Sequence, residues 1–384
     1  TGEGSNEYSL AKANYAITFL DILSTKFDVA VANPPYTDSA DFGAELKEFM
    51  GANYSKPLKF NSNLYACFIK RCCELAGDDG KVGMIHSHTF MFIKTFEDVR
   101  KYLIGQTHIN VMVDYGLDRV NLFGPGILLD ATFYTLDKSL SNKDAGVYFN
   151  ITTNLQEKFK KDVLSQAYTD FCNGRQNDRV YQLPQSKLKD IKSYPFIYWI
   201  SDEFRGKMKA KDLDKTVDIR AGIQTSNNNR FLRFWWEIDK SNIYDGINNA
   251  KWVVYSKGGP FNKWYGNLWL VIDWEENGNK LRKYLLSRGQ DLHAQDYYFL
   301  QGITYSASGS KGMSFRYMPK DCLFDIGGSS IFCVKEFKNS LFLIGLLNSK
   351  LSVYLTNCFN PTVNKQPNDI KRIPFTDPNN NIEI

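Results

Sequence analysis

The chain has 384 residues, of which 43% are apolar and 23% charged, and its formal net charge is +5. This balance excludes an intrinsically disordered chain, and the length allows two or three domains. The mild positive excess is compatible with a nucleic-acid partner and equally with many metabolic enzymes, so charge alone does not choose between them.

The cysteines and histidines do not form a recognisable metal-binding pattern. Seven Cys and four His show neither a CxxC pair nor the spacing of zinc ligands. A secretory signal and an apolar run of roughly 18 residues, the length of a membrane span, are both missing. We therefore expect a cytoplasmic protein with reduced thiols, no bound metal and no membrane segment.

The first part of the chain alternates predicted helices and strands. Residues 27–32 (FDVAVA) form an apolar run that predicts a strand covered on both faces. Helices are predicted at 11–25, 63–75 and 95–103, strands at 81–86 and 109–114, and a hairpin from 131–136 and 147–151. This rhythm indicates a doubly wound α/β sheet, with functional residues at the carboxyl ends of strands.

The pattern changes after residue 152, and we place a domain boundary there. A predicted helix at 155–167 is followed by short strands, glycines and aromatic residues, which indicate an irregular α+β domain. The expected domains are therefore residues 1–152 and 153–384.

Asn33-Pro34-Pro35-Tyr36, directly after the 27–32 strand, is the strongest chemical signal. The exocyclic amine of adenine is a weak nucleophile, and an acceptor for its hydrogens favours the reactive geometry. The Asn33 side-chain oxygen and the Pro34 carbonyl suit this task, while Tyr36 suits stacking on a base flipped out of a duplex. The alternative is an ordinary turn, because Asn-Pro and Pro-Pro are common in loops.

Other residues of this part are weaker candidates. Phe123 could clamp the second face of the base, or be a core residue at a turn. Asn63 and Tyr65 could border a methyl donor, or be a helix cap and a core residue. His86 and His88 follow a strand end, and we expect structural or pocket-lining roles for both.

The second part offers polar and basic groups for DNA. The segment GIQTSNNNRFLR contains Gln224, Asn227, Asn229 and Arg230, residue types that pair with adenine or guanine edges. A further set suits phosphates, namely Lys257, Lys311, Lys371 and Arg372. Each of these loops has an equal alternative as a solvated polar turn.

The motifs together resemble a known family. FDVAVANPPY, NSNLYACFIKRCCELAGDDGKVGMI and TFMFIKTFEDVRKYL resemble gamma-type DNA adenine-N6 methyltransferases of restriction systems. Downstream, GIQTSNNNRFLRFWWEI, KWVVYSKGGPFNKWYGN, GITYSASGSKGMSFRYMP and the 360–374 segment resemble the methyltransferase component of BREX phage-exclusion systems, the PglX family. Related segments occur in type IIG restriction-modification enzymes.

The resemblance implies a site-specific, S-adenosylmethionine-dependent adenine methyltransferase that acts on double-stranded DNA with a flipped adenine. Residues 1–152 would be the C-terminal part of a Rossmann-like catalytic domain, and 153–384 a linker helix and target-recognition domain. Asp28, Asn63 and Tyr65 are the residues we expect nearest the cofactor.

The family also has a glycine-containing cofactor loop, and no DPACGSG-like loop occurs in this chain. We therefore expect an excised fragment or split subunit that exposes a sheet edge. It would need an N-terminal part or other defence-system subunits for activity. Two alternatives remain: a non-catalytic DNA-binding or assembly module, and the methyltransferase part of a fused type IIG endonuclease.

Overall fold

The computed structural model describes residues 3–118, 122, 129–139, 145–152, 159–209, 212–246, 250–309, 311–334, 340–362 and 364–375. The chain divides into two compact units, Thr1–Arg205 and Gly206–Ile384.

The first unit is built on one six-stranded sheet. Its helices are α1 (Glu3–Ser24), α2 (Ala44–Tyr54), α3 (Leu64–Leu75), α4 (Glu97–Gln106), α5 (Lys160–Cys172) and α6 (Asp202–Lys207), which crosses the unit boundary. Its strands are β1 (Phe27–Ala32), β2 (Ala76–Ser87), β3 (His108–Asp118), β4 (Leu129–Asp137), β5 (Gly146–Asn150) and β6 (Val180–Leu183). The sheet order is β1-β2-β4-β3-β5-β6, with β1–β2 and β3–β5 parallel and the other pairs antiparallel.

Helices pack on both faces of this sheet, which confirms the α/β class. On one face α3 and α4 bury apolar side chains such as Ile69, Val99 and Leu103 in the largest core cluster. On the other face α5 packs against the β3–β5 part of the sheet, where Phe149 and Ala167 belong to one cluster. Burial of this apolar area is the main stabilising contribution to the unit.

Two local expectations are wrong. β1 is an edge strand and is not covered on both faces: Ala30 and Ala32 pack on the core, whereas Val31 is 75% exposed. Residues 131–136 and 147–151 do not form a hairpin either. β4 lies between β2 and β3, and β5 pairs with the opposite edge of β3, so the antiparallel neighbours in sequence are β3 and β4.

The compact units divide after Arg205, whereas the sequence pattern placed the division after residue 152. The difference has a physical cause, because β6 hydrogen-bonds to β5 and extends the same sheet. Leu188 and Phe196 also belong to the first unit's main core cluster. The division into catalytic and recognition regions stays a prediction.

The second unit contains two four-stranded sheets. Its strands are β7 (Val217–Arg220), β8 (Leu232–Phe234), β9 (Trp252–Ser256), β10 (Leu270–Asp273), β11 (Gly302–Tyr305), β12 (Phe315–Met318), β13 (Cys322–Phe324) and β14 (Ser330–Cys333). Its remaining helices are α7 (Asn228–Phe231), α8 (Glu275–Leu286), α9 (Ser340–Leu347), α10 (Lys350–Phe359) and α11 (Pro367–Lys371). The sheet orders are β13-β9-β10-β8 and β12-β11-β14-β7.

Short strands with irregular connections make this unit the α+β structure that the sequence indicated. Leu281 and Leu285 of α8 pack with Tyr255 and Ile272 in one of its core clusters. Across the described helices, none alone has the length and apolar character of a membrane span; only α9 and α10 together reach them, and they are bent by 67°.

His86 is a core residue of the first unit, on β2. Its ring stacks on Tyr65 with centroids 4.5 Å apart and planes at 7°. Nδ1 lies 3.0 Å from the Ser87 carbonyl oxygen, and Nε2 lies 2.8 Å from the Tyr134 hydroxyl. A carbonyl only accepts, so Nδ1 carries the proton and Nε2 accepts from Tyr134. Burial lowers the pKa of His86 to about 4, so the ring is neutral near pH 7.

This burial predicts acid sensitivity. The unfolded chain binds a proton at His86 near the ordinary pKa of 6.5, and the folded chain does so only near 4. The free energy of unfolding should therefore fall as pH drops from 6.5 to 4, by about 3 kcal/mol for this group alone. Urea unfolding across this range, followed by circular dichroism, measures the slope.

His86→Asn is the matched control, because an amide can still donate to Ser87 but does not titrate. The variant should lose this part of the pH dependence, whatever its absolute stability. The same pH slope in the variant and the parent chain would contradict the assignment.

Candidate functional site at the end of β1

Asn33 lies at the tip of β1, where the ladder with β2 stops. The parallel register pairs Ala32 with Met84, so Asn33 follows the last paired residue. Pro34 and Pro35 carry no backbone N–H and cannot extend the ladder. The Asn33 side chain is exposed and the Pro34 ring is buried, so the motif is anchored by its proline and presents its amide.

Tyr36 holds the Asn33 side chain in place. The Tyr36 hydroxyl donates to Asn33 Oδ1 at 2.9 Å and also lies 3.4 Å from the Ile85 carbonyl oxygen of β2. Partial burial raises the pKa of Tyr36, so the hydroxyl keeps its proton. The amide oxygen that the sequence assigns to an incoming amine is therefore already oriented as an acceptor.

An open groove of about 460 Å³ borders Asn33. It lies on the face of the sheet where Val31 is exposed, and Gly83 keeps it open at β2, since an added Cβ would lie 3.1 Å from Val31. The residues that line it are Val31, Ala32, Asn33, Gly83, Met84, Ile85, Val111, Val113, Phe133, Tyr134 and Thr135. The lining is almost entirely apolar, which suits contact with a flat ring.

The residues expected near a cofactor, Asp28, Asn63 and Tyr65, do not line the groove beside Asn33. Asn63 is the N-cap of α3, with its side-chain oxygen accepting from the Tyr65 backbone N–H, and its amide lies 3.5 Å from the Tyr36 carbonyl oxygen. Tyr65 is buried against His86, and burial raises its pKa. Asp28 is exposed on the edge strand β1. Asn63 and Tyr65 thus have structural roles and support the segment Asn33–Tyr36.

A buried ion pair joins His88, which follows β2, to Asp114 in the second half of β3. His88 Nδ1 is 2.9 Å from Asp114 Oδ1, and both side chains are buried. Burial opposes the charge on His88, but the Asp114 carboxylate, aided by Asp130, raises its pKa above the ordinary value. Sequence reasoning named His88 but missed Asp114, although its position at a strand end was a usable signal.

Phe123 lies outside the described residues, so its expected stacking role stays a prediction. No group of three or more His, Cys, Asp or Glu side chains placed to hold a metal ion occurs among the described residues.

In the second unit, the expected base-reading residues share one exposed loop before β8. Gln224, Asn227, Asn229 and Arg230 are all exposed. Asn227 also caps α7, because its side-chain oxygen accepts from the Arg230 backbone N–H at 3.1 Å. Lys257 joins this loop, with its ammonium donating to Asn228 Oδ1 at 3.1 Å. Five of the eight predicted residues therefore form one polar surface.

The other three predicted residues lie elsewhere in the unit. Lys311 is exposed. Lys371 pairs with Asp214 at 3.0 Å. Arg372 is only 6% exposed and its guanidinium lies 4.4 Å from the centre of the Phe359 ring, so its burial does not support the expected phosphate contact.

Comparison with known proteins finds adenine-specific methyltransferases among the sequences similar to this chain. Residues 3–123 match the Eco57I restriction-modification methylase family. The chain is 30% identical over 368 residues to the adenine-specific methyltransferase BrxX of Escherichia coli O9:H4 (strain HS), which covers 94% of this chain and 29% of BrxX. It is 28% identical to the adenine-specific methyltransferase PglX of Lacticaseibacillus casei (strain Zhang), over 92% of this chain and 30% of PglX.

A solved structure shares the fold at low identity. The type IIL restriction-modification enzyme MmeI, solved in complex with DNA, aligns with a TM-score of 0.56 and 10% identity over 91% of this chain and 45% of that protein. The chain spans about three-tenths of the length of the curated relatives. It is thus a homologue of the BREX adenine-specific methyltransferases BrxX and PglX, with an Eco57I methylase segment and a methyltransferase fold followed by a further unit.

Proposed function

We propose that this chain is the part of a site-specific DNA adenine-N6 methyltransferase that receives the target adenine and contacts the DNA around it. The observation that supports this most directly is the exposed Asn33 amide. It stands at a strand end beside an apolar groove, with its oxygen oriented by Tyr36. A packed Asn33 without a neighbouring cavity would have left no room for a base.

The chemistry assigned to the motif is acceptance of the amine hydrogens. Asn33 Oδ1 takes one hydrogen of the adenine amine in place of the Tyr36 hydroxyl, and the Pro34 carbonyl takes the other. The released Tyr36 ring then stacks on the base. These contacts favour a pyramidal nitrogen with an available lone pair, so the rate gain comes from positioning and from fixed dipoles.

Methyltransferases generally use S-adenosylmethionine. The cofactor carries a carboxylate, an ammonium and a ribose diol, which all require polar partners. The groove offers the Asn33 amide and the Thr135 hydroxyl, whereas the Tyr134 hydroxyl is buried against His86, and no charged side chain lines it. The lining of this groove therefore does not fit the cofactor by itself.

DNA recognition is assigned to the second unit. Its exposed loop combines amides for base edges with Arg230 and Lys257 for phosphates or guanine. The homologues and the DNA-bound structural neighbour support DNA as the partner, while the flipped adenine and the recognised sequence belong to the proposal.

A second candidate is a DNA-binding or assembly module without transfer activity. The burial of Asn63 and Tyr65, two of the three expected cofactor residues, favours it. Incorporation of labelled methyl groups into DNA by the full-length protein separates the two, because only the first candidate predicts a product.

Asn33→Ala in the full-length protein should lower methyl transfer by roughly a hundredfold or more, as expected when one preorganised dipole at a reacting centre is removed. DNA affinity should stay within about twofold, since one uncharged contact is lost. Single-turnover methylation and fluorescence anisotropy measure the two quantities. Asn53→Ala, which removes an exposed amide from α2, is the control. Near-normal transfer by Asn33→Ala would remove the site assignment.

Two substitutions of Tyr36 separate the role of its hydroxyl from the role of its ring. Tyr36→Phe keeps the ring and removes the hydroxyl contacts to Asn33 and the Ile85 carbonyl oxygen, so transfer should stay within a few-fold of the parent. Tyr36→Ala removes the stacking surface and should slow transfer by roughly fivefold to a hundredfold. Single-turnover rates at saturating DNA make the comparison. Equal losses of the transfer rate in both variants would show that transfer depends on the hydroxyl and not on the ring.

DNA affinity of the chain should fall as salt rises, because neutralised phosphates release counterions. Lys257→Gln should reduce the magnitude of the slope of log K against log salt by about 1, the expected contribution of one phosphate contact. Lys47→Gln, on α2 of the first unit, is the control. A salt-independent affinity would argue against phosphate contacts altogether.

A further inference from the structure

One loop of the second unit presents aromatic side chains to solvent. Residues 257–267 (KGGPFNKWYGN) connect β9 to the segment that leads into β10. Trp264 is 56% exposed and Tyr265 is 64% exposed, and Phe261 is exposed beside them. Aromatic residues of this size usually bury most of their surface, so adjacent exposed ones mark a contact surface.

The loop is held firmly despite this exposure. The Trp264 N–H donates to the Phe315 carbonyl at 2.9 Å, and the Tyr317 N–H donates to the Trp264 carbonyl at 2.9 Å. Lys263 donates to the Asn348 carbonyl at 2.8 Å. At the start of the loop, an added Cβ at Gly258 would lie 2.4 Å from the Gly327 carbonyl oxygen, so the two backbones touch. The aromatic side chains are therefore presented by a preorganised frame.

The frame imposes strain on Trp264. Its φ is +76°, in the left-handed region that costs an ordinary L-residue roughly 1–2 kcal/mol. A glycine or asparagine would adopt this conformation at lower cost. Neither its half-exposed side chain nor its backbone conformation requires tryptophan for stability. Trp264 is one of nine described non-glycine residues with positive φ, and backbone strain of this kind is found preferentially at functional sites.

The surroundings fit a nucleic acid. The Trp235 N–H donates to the Trp269 carbonyl at 2.9 Å, which places a second exposed group, Phe234 to Trp236, next to the end of the loop. Residues 224–236 and 257–268 contain Arg230, Arg233, Lys257 and Lys263, and the acidic residue that follows them, Glu237, accepts the Phe234 backbone N–H at 2.7 Å. Exposed aromatics among an excess of cations are typical of surfaces that stack bases and follow a phosphate backbone.

From these observations we infer that Trp264 and Tyr265 stack on a DNA base that has left the helical stack. This rests on the proposed function, because it takes the DNA contact of the second unit as given and assigns two further residues to it. Stacking needs an exposed π-face, so these residues should distinguish unstacked from stacked bases without distinguishing base sequence.

The test uses the 384-residue chain with Trp264→Asn, Tyr265→Ala and, as control, Tyr168→Ala, which removes an exposed aromatic from α5. Fluorescence anisotropy measures binding to labelled single-stranded oligothymidine, to an intact duplex and to the same duplex with one mismatched pair. Trp264→Asn should weaken binding to the single strand and the mismatched duplex by roughly fivefold to a hundredfold, and to the intact duplex less. Its melting temperature should equal or exceed that of the parent chain.

The outcomes separate the two proposals. A parent chain that binds none of the three DNAs at low salt would overturn the proposed DNA contact, and the stacking role with it. A parent chain that binds, with unchanged affinities for Trp264→Asn and Tyr265→Ala, would overturn only the stacking role. An equal loss on intact and mismatched duplex, or a lower melting temperature of Trp264→Asn, would also overturn it, because either result indicates a general or structural role.

Discussion

The parallel pairing of β1 with β2 is the constraint on which the candidate site depends. Its register places the end of β1 beside Ile85, so that one tyrosine hydroxyl can reach both Asn33 Oδ1 and the Ile85 carbonyl oxygen. The two prolines end the ladder at that point, so the strand cannot continue past Asn33. A shift of one residue would exchange the faces of the strand and turn Ala32 away from the core. The site is therefore a consequence of register as much as of residue type.

Sequence reasoning could predict the features that are local in the chain. The apolar run, the motif that ends it and the helix that starts at Leu64 all occur where their patterns indicate. It could not predict that β4 inserts between β2 and β3, because strand order is decided by pairings between distant segments. It could not predict the exposure of Val31 either: in the run VAVA both faces carry apolar residues, so the pattern does not reveal which face is covered.

The same limit applies to polar side chains, whose roles depend on what surrounds them. Asn63 and Asn227 both precede helices, and in both the side-chain oxygen accepts a backbone N–H of the first turn. Nothing in the residue type separates such a cap from a ligand-binding amide. Arg372 follows a lysine in a polar segment, which is a surface pattern, yet its guanidinium packs over Phe359. Asn33 differs from all three, because its oxygen accepts from a side chain that can move and not from a fixed backbone N–H.

Preorganisation links the two regions to which we assign function, each considered within its own unit. The Asn33 oxygen is oriented by a hydroxyl at 2.9 Å, and the Trp264 backbone is fixed by two hydrogen bonds to neighbouring strand residues. Groups held in this way lose little conformational entropy when a ligand arrives, so more of the contact energy appears as affinity or rate. This preorganisation lowers the stability of the folded chain, because it leaves an apolar groove exposed in one unit and a tryptophan in the left-handed conformation in the other. Residues selected for stability alone would remove both features, since a larger side chain would fill the groove and a glycine would relieve the strain. These two features are therefore the physical basis of the two proposals, one for the end of β1 and one for the loop that carries Trp264.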